Sequence, residues 1–559
     1  MQEEGFEVNA KTDCKSEVIV KTEGKNGESV EESNKALKVL FLSSDTGGGH
    51  RASAEALATQ FQLLYPGTTY ILHDMVANEG TPPYSSLVNW YKHLGANPTQ
   101  WKFVYEVSNT RAFEMIADAH LKVMCERAVR RRLMDIDPDV VISVHPLMCN
   151  VPVMSCTKIS QKTGKHLPMF TVVTDLGSAH CLWFANGVEK MFVGSEQIHK
   201  LATVRGKVPD EKLVLSGLPI RHDFAVQAEL LGDRMSPEGV AYQRSIRQDL
   251  DLPHVDRKTI LVMGGGEGVG SLSNIVDSLY SEFVCNGIDA LILVVCGRNE
   301  KLKTDLEVRQ WEKVLEHHLL QRDAYGTVSS IYSIDVCGSA AAATAAASPS
   351  NGCIEGSVAS SIRKILSNGS LAIVERPKST TPLATESEEK KMDEGVPASE
   401  MQGDSTFDGS IPHEKPQGIV DVVGLGFVTR MAEYMVAADV LVSKAGPGTI
   451  SEAAALSLPV MLTSFLPGQE EGNVDYVIDG GFGAFCSDKD PQGIGEEVVL
   501  WLLDEKKMKL LSNAAKAKGA PNAARDIAQT IGLSTLRWKA INDEKESKKQ
   551  EEASSTNKG

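Results

Sequence analysis

Short, almost wholly apolar runs recur along the first half of the chain: "KVLFLSS", "TYILHDM", "DVVISV", "MFTVVTD", "KMFVGS" and "KLVLSG". Each is too short for a core helix and too continuously hydrophobic for a strand with one wet face, so each predicts a strand buried on both sides. Amphipathic helical stretches lie between them, the pattern of a parallel sheet covered by helices. After "GLPIRHDF" and a charged helical segment the series restarts with "TILVMGGGEG", "ALILVVCGRN", "VDVVGLGF", "DVLVSKAGPGT" and "LPVMLTS". The expectation is an α/β chain of two Rossmann-like domains, one over 37–225 and one over 226–312 with 418–542, each of ordinary domain size. Residues 313–417 interrupt the second series. They include "GSAAAATAAASPSNG" and "ESEEKKMDEGVPASEMQGDS", too poor in aromatics to bury a core, and predict a disordered low-complexity insert. Residues 1–36 and 543–559 are polar, charged stretches that predict disordered tails.

Composition narrows this picture. Of 559 residues 42% are hydrophobic, yet no run approaches the roughly 18 apolar residues of a membrane span. A net charge of −17 argues against broad binding to nucleic acid. Ten cysteines without a CxxC pair fit a reducing compartment and give no metal signature. The first 36 residues show neither the apolar core of a secretory signal nor the Arg-rich, acid-poor character of a transit peptide.

Three glycine turns carry the candidate chemistry. "SSDTGGGHRASAEA" (43–56) follows the first strand, and a strand, glycine turn and helix N-terminus together converge N–H groups on an anion. Gly47, Gly49 and Ala52 fit the spacing of a dinucleotide fingerprint, with Asp74 ending the next strand as a ribose partner. His50, however, stands at the mouth of the helix, where a reacting group belongs. "MGGGEGVG" opens the second half, with Gly265, Gly266, Glu267 and Gly268 as candidate donor contacts, and "KAGPGTISEA" opens a later helix. Two Rossmann-like halves with glycine loops on a shared cleft are the organisation of a GT-B glycosyltransferase. "DID" at 135–137 matches a metal-binding DxD motif, but "PDVVISV" follows it, so it reads as a helix-to-strand connection and no metal site is assigned.

The ordered motifs "SSDTGGGHRASAEA", "ISVHPL", "TVVTDL", "GLPIR", "LVMGGGEGVG", "VVCGRN", "KAGPGTISEA" and "FLPGQEEGNVDYVI" resemble the monogalactosyldiacylglycerol synthases of plant and algal plastids. The resemblance covers about 38–312 and 418–535, and departs at "GSAHCLWFANGV" (177–188) and in the insert. A bacterial enzyme that adds N-acetylglucosamine to lipid-linked peptidoglycan precursors is a more distant likeness. The resemblance implies an inverting 1,2-diacylglycerol 3-β-galactosyltransferase that uses UDP-galactose, without a tightly bound cofactor or a required divalent cation. Alternatives are a lipid glycosyltransferase with UDP-glucose or UDP-N-acetylglucosamine as donor, an NAD(P)-binding reductase and a catalytically idle nucleotide-binding module.

On this reading His50 approaches the acceptor hydroxyl or the donor diphosphate, either as the base or as a group that positions donor and acceptor. The base role suits a histidine of near-neutral pKa, and Asp45 orients its ring or serves as the alternative base. Gly48 and Gly49 approach the donor, and Lys444, Ala445, Gly446, Pro447, Gly448 and Thr449 present N–H and hydroxyl groups to the UDP phosphates. Glu452 accepts from ribose hydroxyls, Gln469 and Glu470 hold the sugar with Asn473 beside them, and Arg221 offers a planar fork to the diphosphate. The acceptor lives in a bilayer, which implies peripheral attachment to a plastid envelope membrane. The segment 78–107, with Pro83, Trp90, Tyr91 and Trp101, is the candidate docking element, since aromatic rings beside lysines suit the headgroup boundary. Arg130 and Arg131 in "ERAVRRR" are candidates for phosphatidylglycerol or phosphatidic acid headgroups. The resemblance leaves room for a homodimer.

Overall fold

The computed structural model describes residues 36–44, 48–81, 84–86, 90, 93–94, 97–264, 272–325 and 417–556. Asp45, Gly47, Pro83, Tyr91 and Gly265 to Gly268 fall outside them, as do residues 1–35 and 326–416.

Two six-stranded sheets, parallel throughout, carry the fold. The first consists of β1 (Lys38–Leu42), β2 (Thr69–His73), β3 (Val140–Ser143), β4 (Met169–Val172), β5 (Met191–Val193) and β6 (Leu213–Leu215) in the order β2-β1-β3-β4-β5-β6. The second consists of β7 (Lys258–Met263), β8 (Ala290–Val295), β9 (Val420–Leu425), β10 (Val440–Ser443), β11 (Val460–Leu462) and β12 (Gly483–Phe485) in the order β12-β11-β10-β7-β8-β9. Every predicted strand is present. The addition is β12, an edge strand reading "GAF", which has no apolar run to reveal it and pairs only with β11. Central strands such as β3, β4, β8 and β10 are buried at every position, so their uninterrupted apolar runs follow from helices on both faces.

In each sheet the chain runs outward from one strand and then reverses. The reversal lies between β1 and β3 in the first sheet and between β7 and β10 in the second. Helices diverge there, leaving a crevice beyond the carboxyl ends of the strands, the usual ligand site of such sheets. The strands β1, β7 and β10, which the three glycine-rich stretches follow in sequence, all lie at these two points.

The first sheet is covered by α1 (Gly49–Leu64), α2 (Met75–Glu79), α3 (Pro98–Ser108), α4 (Arg111–Met124), α5 (Glu126–Ile136) and α6 (Asn150–Thr163), among others. Three boundaries differ from the sequence-based expectation. The final helix, Ala523–Thr556, packs Ala524, Ile527, Ala528 and Ile531 among Leu37, Phe41 and Phe61, so the chain ends on the first domain rather than the second. Its residues 543–556 continue the helix instead of forming a tail, held by i,i+4 pairing of Lys548 with Glu544 at 2.7 Å and by Lys165 on Glu546 at 2.6 Å. Finally, residues 313–325 belong to the helix Trp311–Tyr325, not to the insert. Trp311 stacks on Tyr280 and His318 meets the buried Glu282 at 2.9 Å, which gives this polar-looking segment an anchored face.

Candidate active site

At the head of α1 the backbone turns through Gly48, whose φ of 77° is a left-handed conformation that glycine adopts without strain. Two residues on, His50 points inward and is 9% exposed. Its Nδ1 lies 2.8 Å from the Thr174 hydroxyl, its ring is edge-on to His145 at 4.8 Å, and the indole of Trp183 is 6.0 Å away. Burial lowers the His50 pKa to about 4, opposed by a hydrogen bond with the Val144 backbone. At neutral pH the imidazole is therefore uncharged, and in this buried setting it is a weaker base than the near-neutral histidine expected from the sequence.

Asp74, the candidate ribose partner, is otherwise engaged. Its Oδ1 accepts from the Ala77 amide at 2.9 Å to cap α2, and its Oδ2 accepts from the Ser44 hydroxyl at 2.5 Å. This removes the acidic residue that a dinucleotide-binding reading requires.

Across the Trp183 indole from His50 the sequence reading missed a group. Asp175 follows β4 and is 8% exposed, and its Oδ2 accepts from the Trp183 indole N–H at 2.6 Å. Burial raises its pKa to about 7; the indole hydrogen bond opposes that shift and the Glu470 carboxylate adds to it. The signal was present: "TVVTDL" places a carboxylate at the carboxyl end of a central parallel strand, where such sheets put their chemistry.

The next residues meet the other domain. The Gly177 amide donates to Asn473 Oδ1 at 2.9 Å, and the Ser178 hydroxyl donates to the Gln469 carbonyl at 2.7 Å. A Cβ on Gly177 would lie 1.8 Å from the Gly472 carbonyl oxygen, so only glycine permits this approach. Asn473 Nδ2 also donates to the Ala445 carbonyl at 2.9 Å. Both ends of its amide are thus spent on backbone, and Asn473 is a clamp between domains rather than the sugar contact expected of it.

On the donor side β10 ends in Ser443, and Lys444 to Gly446 lead into the helix Pro447–Ala455 with Pro447 at its first position. Thr449 lies in its first turn. Lys444 Nζ pairs with Glu470 Oε1 at 2.8 Å, while Glu470 Oε2 accepts from the Leu466 amide at 2.8 Å. Glu470 is 7% exposed and ties the glycine loop to the turn that carries Gln469. Arg221 and Glu452, assigned to diphosphate and ribose, instead face each other: Nε and Nη2 of Arg221 both reach Glu452 Oε1 at 2.9 Å. The guanidinium also rests on the Phe224 ring. Burial raises the Glu452 pKa, and Arg221 counters it.

The lipid-facing assignments also change. Trp101 is half-buried and Tyr105 is 8% exposed, packing towards His180 and against the Gly468 turn of the donor domain. Exposed apolar side chains include Phe103, Val104 and Val107 of α3 and Phe113, Met115, Ile116, Val123 and Met124 of α4, with Trp90 nearby in sequence. Phe113, Ile116, Val123 and Met124 fall on one side of α4 at helical spacing, with Met115 apart from them. Arg130 pairs with Glu126 at 3.1 Å, whereas Arg131 is exposed. Asp137 closes α5 with a left-handed backbone before β3, at the amino edge of the sheet and away from the crevice.

Residues 50–220 match the family model for monogalactosyldiacylglycerol synthase, and residues 401–531 match the family 28 glycosyltransferase C-terminal domain. The chain is a relative of the monogalactosyldiacylglycerol synthases. It is 26% identical over 501 residues to monogalactosyldiacylglycerol synthase 3, chloroplastic, of Arabidopsis thaliana, covering 88% of this chain and 80% of that one. It is 28% identical over 503 residues to the probable monogalactosyldiacylglycerol synthase 2, chloroplastic, of Oryza sativa subsp. indica, covering 89% and 80%. Among solved structures, MurG of Acinetobacter baumannii aligns with a TM-score of 0.46 at 11% identity, over 89% of this chain and 99% of that one. The two sheets and the family 28 domain together make the architecture GT-B.

Proposed function

We propose that this chain is an inverting glycosyltransferase that moves galactose from UDP-galactose to sn-1,2-diacylglycerol at a plastid envelope membrane. One observation carries the reading: a buried, uncharged histidine stands at the crevice of one domain, and the loop beside it is clamped to the donor turn of the other. In this mechanism Thr174 and the Val144 backbone hold the His50 ring, and its lone-pair nitrogen removes the acceptor proton as the oxygen attacks the sugar C1. Asp175, when ionised, stabilises the imidazolium that forms. The donor diphosphate draws Arg221 and Lys444 away from Glu452 and Glu470, which frees both carboxylates for ribose and sugar hydroxyls. These two cations and the N-terminus of the helix Pro447–Ala455 neutralise the leaving UDP, so no divalent ion is required. The decisive assay offers UDP-galactose, UDP-glucose and UDP-N-acetylglucosamine separately with diacylglycerol vesicles, with and without EDTA. The expected product is monogalactosyldiacylglycerol from UDP-galactose alone, at a rate EDTA does not change. A glucolipid would overturn the donor, and loss in EDTA restored by manganese would overturn the metal-free mechanism.

No helix among the described residues is long and apolar enough to cross a membrane. The outer face of α3 and α4 supplies peripheral attachment, and Arg131 draws it to anionic phosphatidylglycerol or phosphatidic acid. Full burial of a large aliphatic or aromatic side chain contributes about 1.5–3 kcal/mol. The triple variant Phe103→Ser, Ile116→Ser and Val123→Ser is therefore expected to weaken vesicle binding by at least about 10-fold in co-sedimentation. Binding equal to the parent's would place the docking surface elsewhere.

A further inference from the structure

Among the described side chains of α3 only Tyr105 is buried, with Trp101 and Ser108 half-buried one turn to either side of it. Phe103 and Val107 lie roughly 200° around the helix from Tyr105 and are exposed. Inward, the Tyr105 ring sits directly on Gly468, where an added Cβ would come within 2.7 Å of Tyr105 Cδ1. Gly468 precedes Gln469 and Glu470, the candidate sugar-holding pair, and the Glu470 amide closes this turn on the Leu466 carbonyl at 2.9 Å. The same helix also braces the loop that touches the turn from the acceptor side. Ser108 Oγ lies 3.2 Å from His180 Nε2, the Tyr105 ring is edge-on to His180 at 5.6 Å, and Asn109 Oδ1 accepts from the Cys181 amide at 2.9 Å. Ser178 of that loop donates to the Gln469 carbonyl at 2.7 Å. Helix α3 thus reaches the 466–470 turn by two routes, one through the Tyr105 ring and one through residues 178–181.

We propose that Tyr105 is a positioning residue for the donor sugar: a lipid surface that holds the outer faces of α3 and α4 keeps the Tyr105 ring against Gly468, and so fixes Gln469 and Glu470 for UDP-galactose. The inference rests on the proposed donor and the proposed docking face, and adds a coupling between them. A helix that buries a single side chain has little to hold it in one position, and weakly packed elements open at low free energy. Lipid contacts on the outer face supply the missing constraint, and a turn that is already ordered loses less entropy when it binds sugar. Binding free energies are linked, so UDP-galactose tightens lipid binding by the same factor by which lipid tightens UDP-galactose binding. The donor is then held best by protein already on the membrane, where the acceptor lies.

The test uses the full chain with vesicles of phosphatidylcholine and phosphatidylglycerol that lack diacylglycerol, so that the donor binds without being transferred. In calorimetry the vesicles are expected to tighten UDP-galactose binding by about 10-fold, within the usual range of coupling between two sites. They are also expected to slow amide hydrogen exchange across 466–470. Tyr105→Ala is expected to lose both effects while still binding vesicles, because Phe103, Val104 and Val107 remain. With diacylglycerol restored, its KM for UDP-galactose is expected to rise by about 10-fold at an unchanged kcat, the mark of lost donor binding. Tyr105→Phe is expected to keep the coupling, because ring carbons make the contact with Gly468. A UDP-galactose affinity that vesicles do not change, or a vesicle effect that survives in Tyr105→Ala, would overturn the proposal. If Tyr105→Ala fails to fold, exchange across 466–470 in the parent decides: slowed by vesicles it supports the coupling, unchanged it refutes it. Absence of UDP-galactose binding or of vesicle binding by the parent would instead fail the proposed function, whereas both without coupling fail this inference alone.

Discussion

Alanine at position 50 is expected to lower kcat for galactosyl transfer by about 10³-fold, the scale of a lost general base. UDP affinity is expected to stay at the parent's level, because the described contacts of His50 are to Thr174, Val144, His145 and Trp183 in its own domain. Thermal melting guards against a trivial loss, since truncating a buried ring also opens a cavity. The pH profile adds a readout that packing alone would not move. His50 is proton-free above a pKa of about 4, so kcat/KM rises through that pH as the base form appears. Asp175 ionises near pH 7, and its charge stabilises the imidazolium, so a second rise is expected there. Asp175→Asn is expected to abolish the second rise and keep the first. A His50→Ala protein retaining a tenth or more of the parent turnover would remove His50 from the chemistry.

The second large effect is expected at Gly177. Its Cα faces the Gly472 backbone so closely that an added methyl group would meet the carbonyl oxygen at 1.8 Å and the Asn473 nitrogen at 2.6 Å. Neither neighbour is the far end of a flexible side chain. Gly177→Ala therefore forces the two loops apart and breaks the bonds from Gly177 to Asn473 and from Ser178 to Gln469. Overpacking of this kind costs about 1–3 kcal/mol of stability. Activity is expected to fall further, by about 100-fold, because acceptor and donor residues lose their mutual register. Gly472→Ala is expected to reproduce the loss from the other side of the contact, where its Cβ would approach the Gly177 carbonyl carbon at 2.5 Å. Steady-state kinetics together with small-angle scattering check this: a slow and more open variant fits, and a compact one with parent kinetics refutes the clamp.

Much of this molecule was legible from local patterns. Eleven apolar runs became strands, and the central ones are apolar throughout because a strand buried on both faces needs every position apolar. The glycine-rich stretches marked the loops after β1 and β10, and at Gly48 the left-handed backbone accounts for the residue type. His50 stood out by its place on such a turn. Helical charge pairing in 543–556 was equally local, yet polar composition hid it, whereas the face of 313–325 is anchored by Glu282, 36 positions away. What only the tertiary structure decided were the partners. Arg221 and Glu452 lie 231 positions apart, and Gly177 and Asn473 lie 296 apart. Residue type told that each could bind a phosphate or a hydroxyl, but not that they bind one another across two domains. The same holds for Trp101 and Tyr105, whose aromatic character suits a membrane surface and a packed interior alike, and which turned inward while Phe103 and Ile116 stayed outside. Asp175 acquired its raised pKa from loss of water and from Glu470, against the opposing hydrogen bond of Trp183, none of which its own stretch of sequence contains. Backbone conformation and burial pattern are set over a turn or a strand. Electrostatic environment and contact partner are set by whatever the rest of the chain brings within a few ångströms.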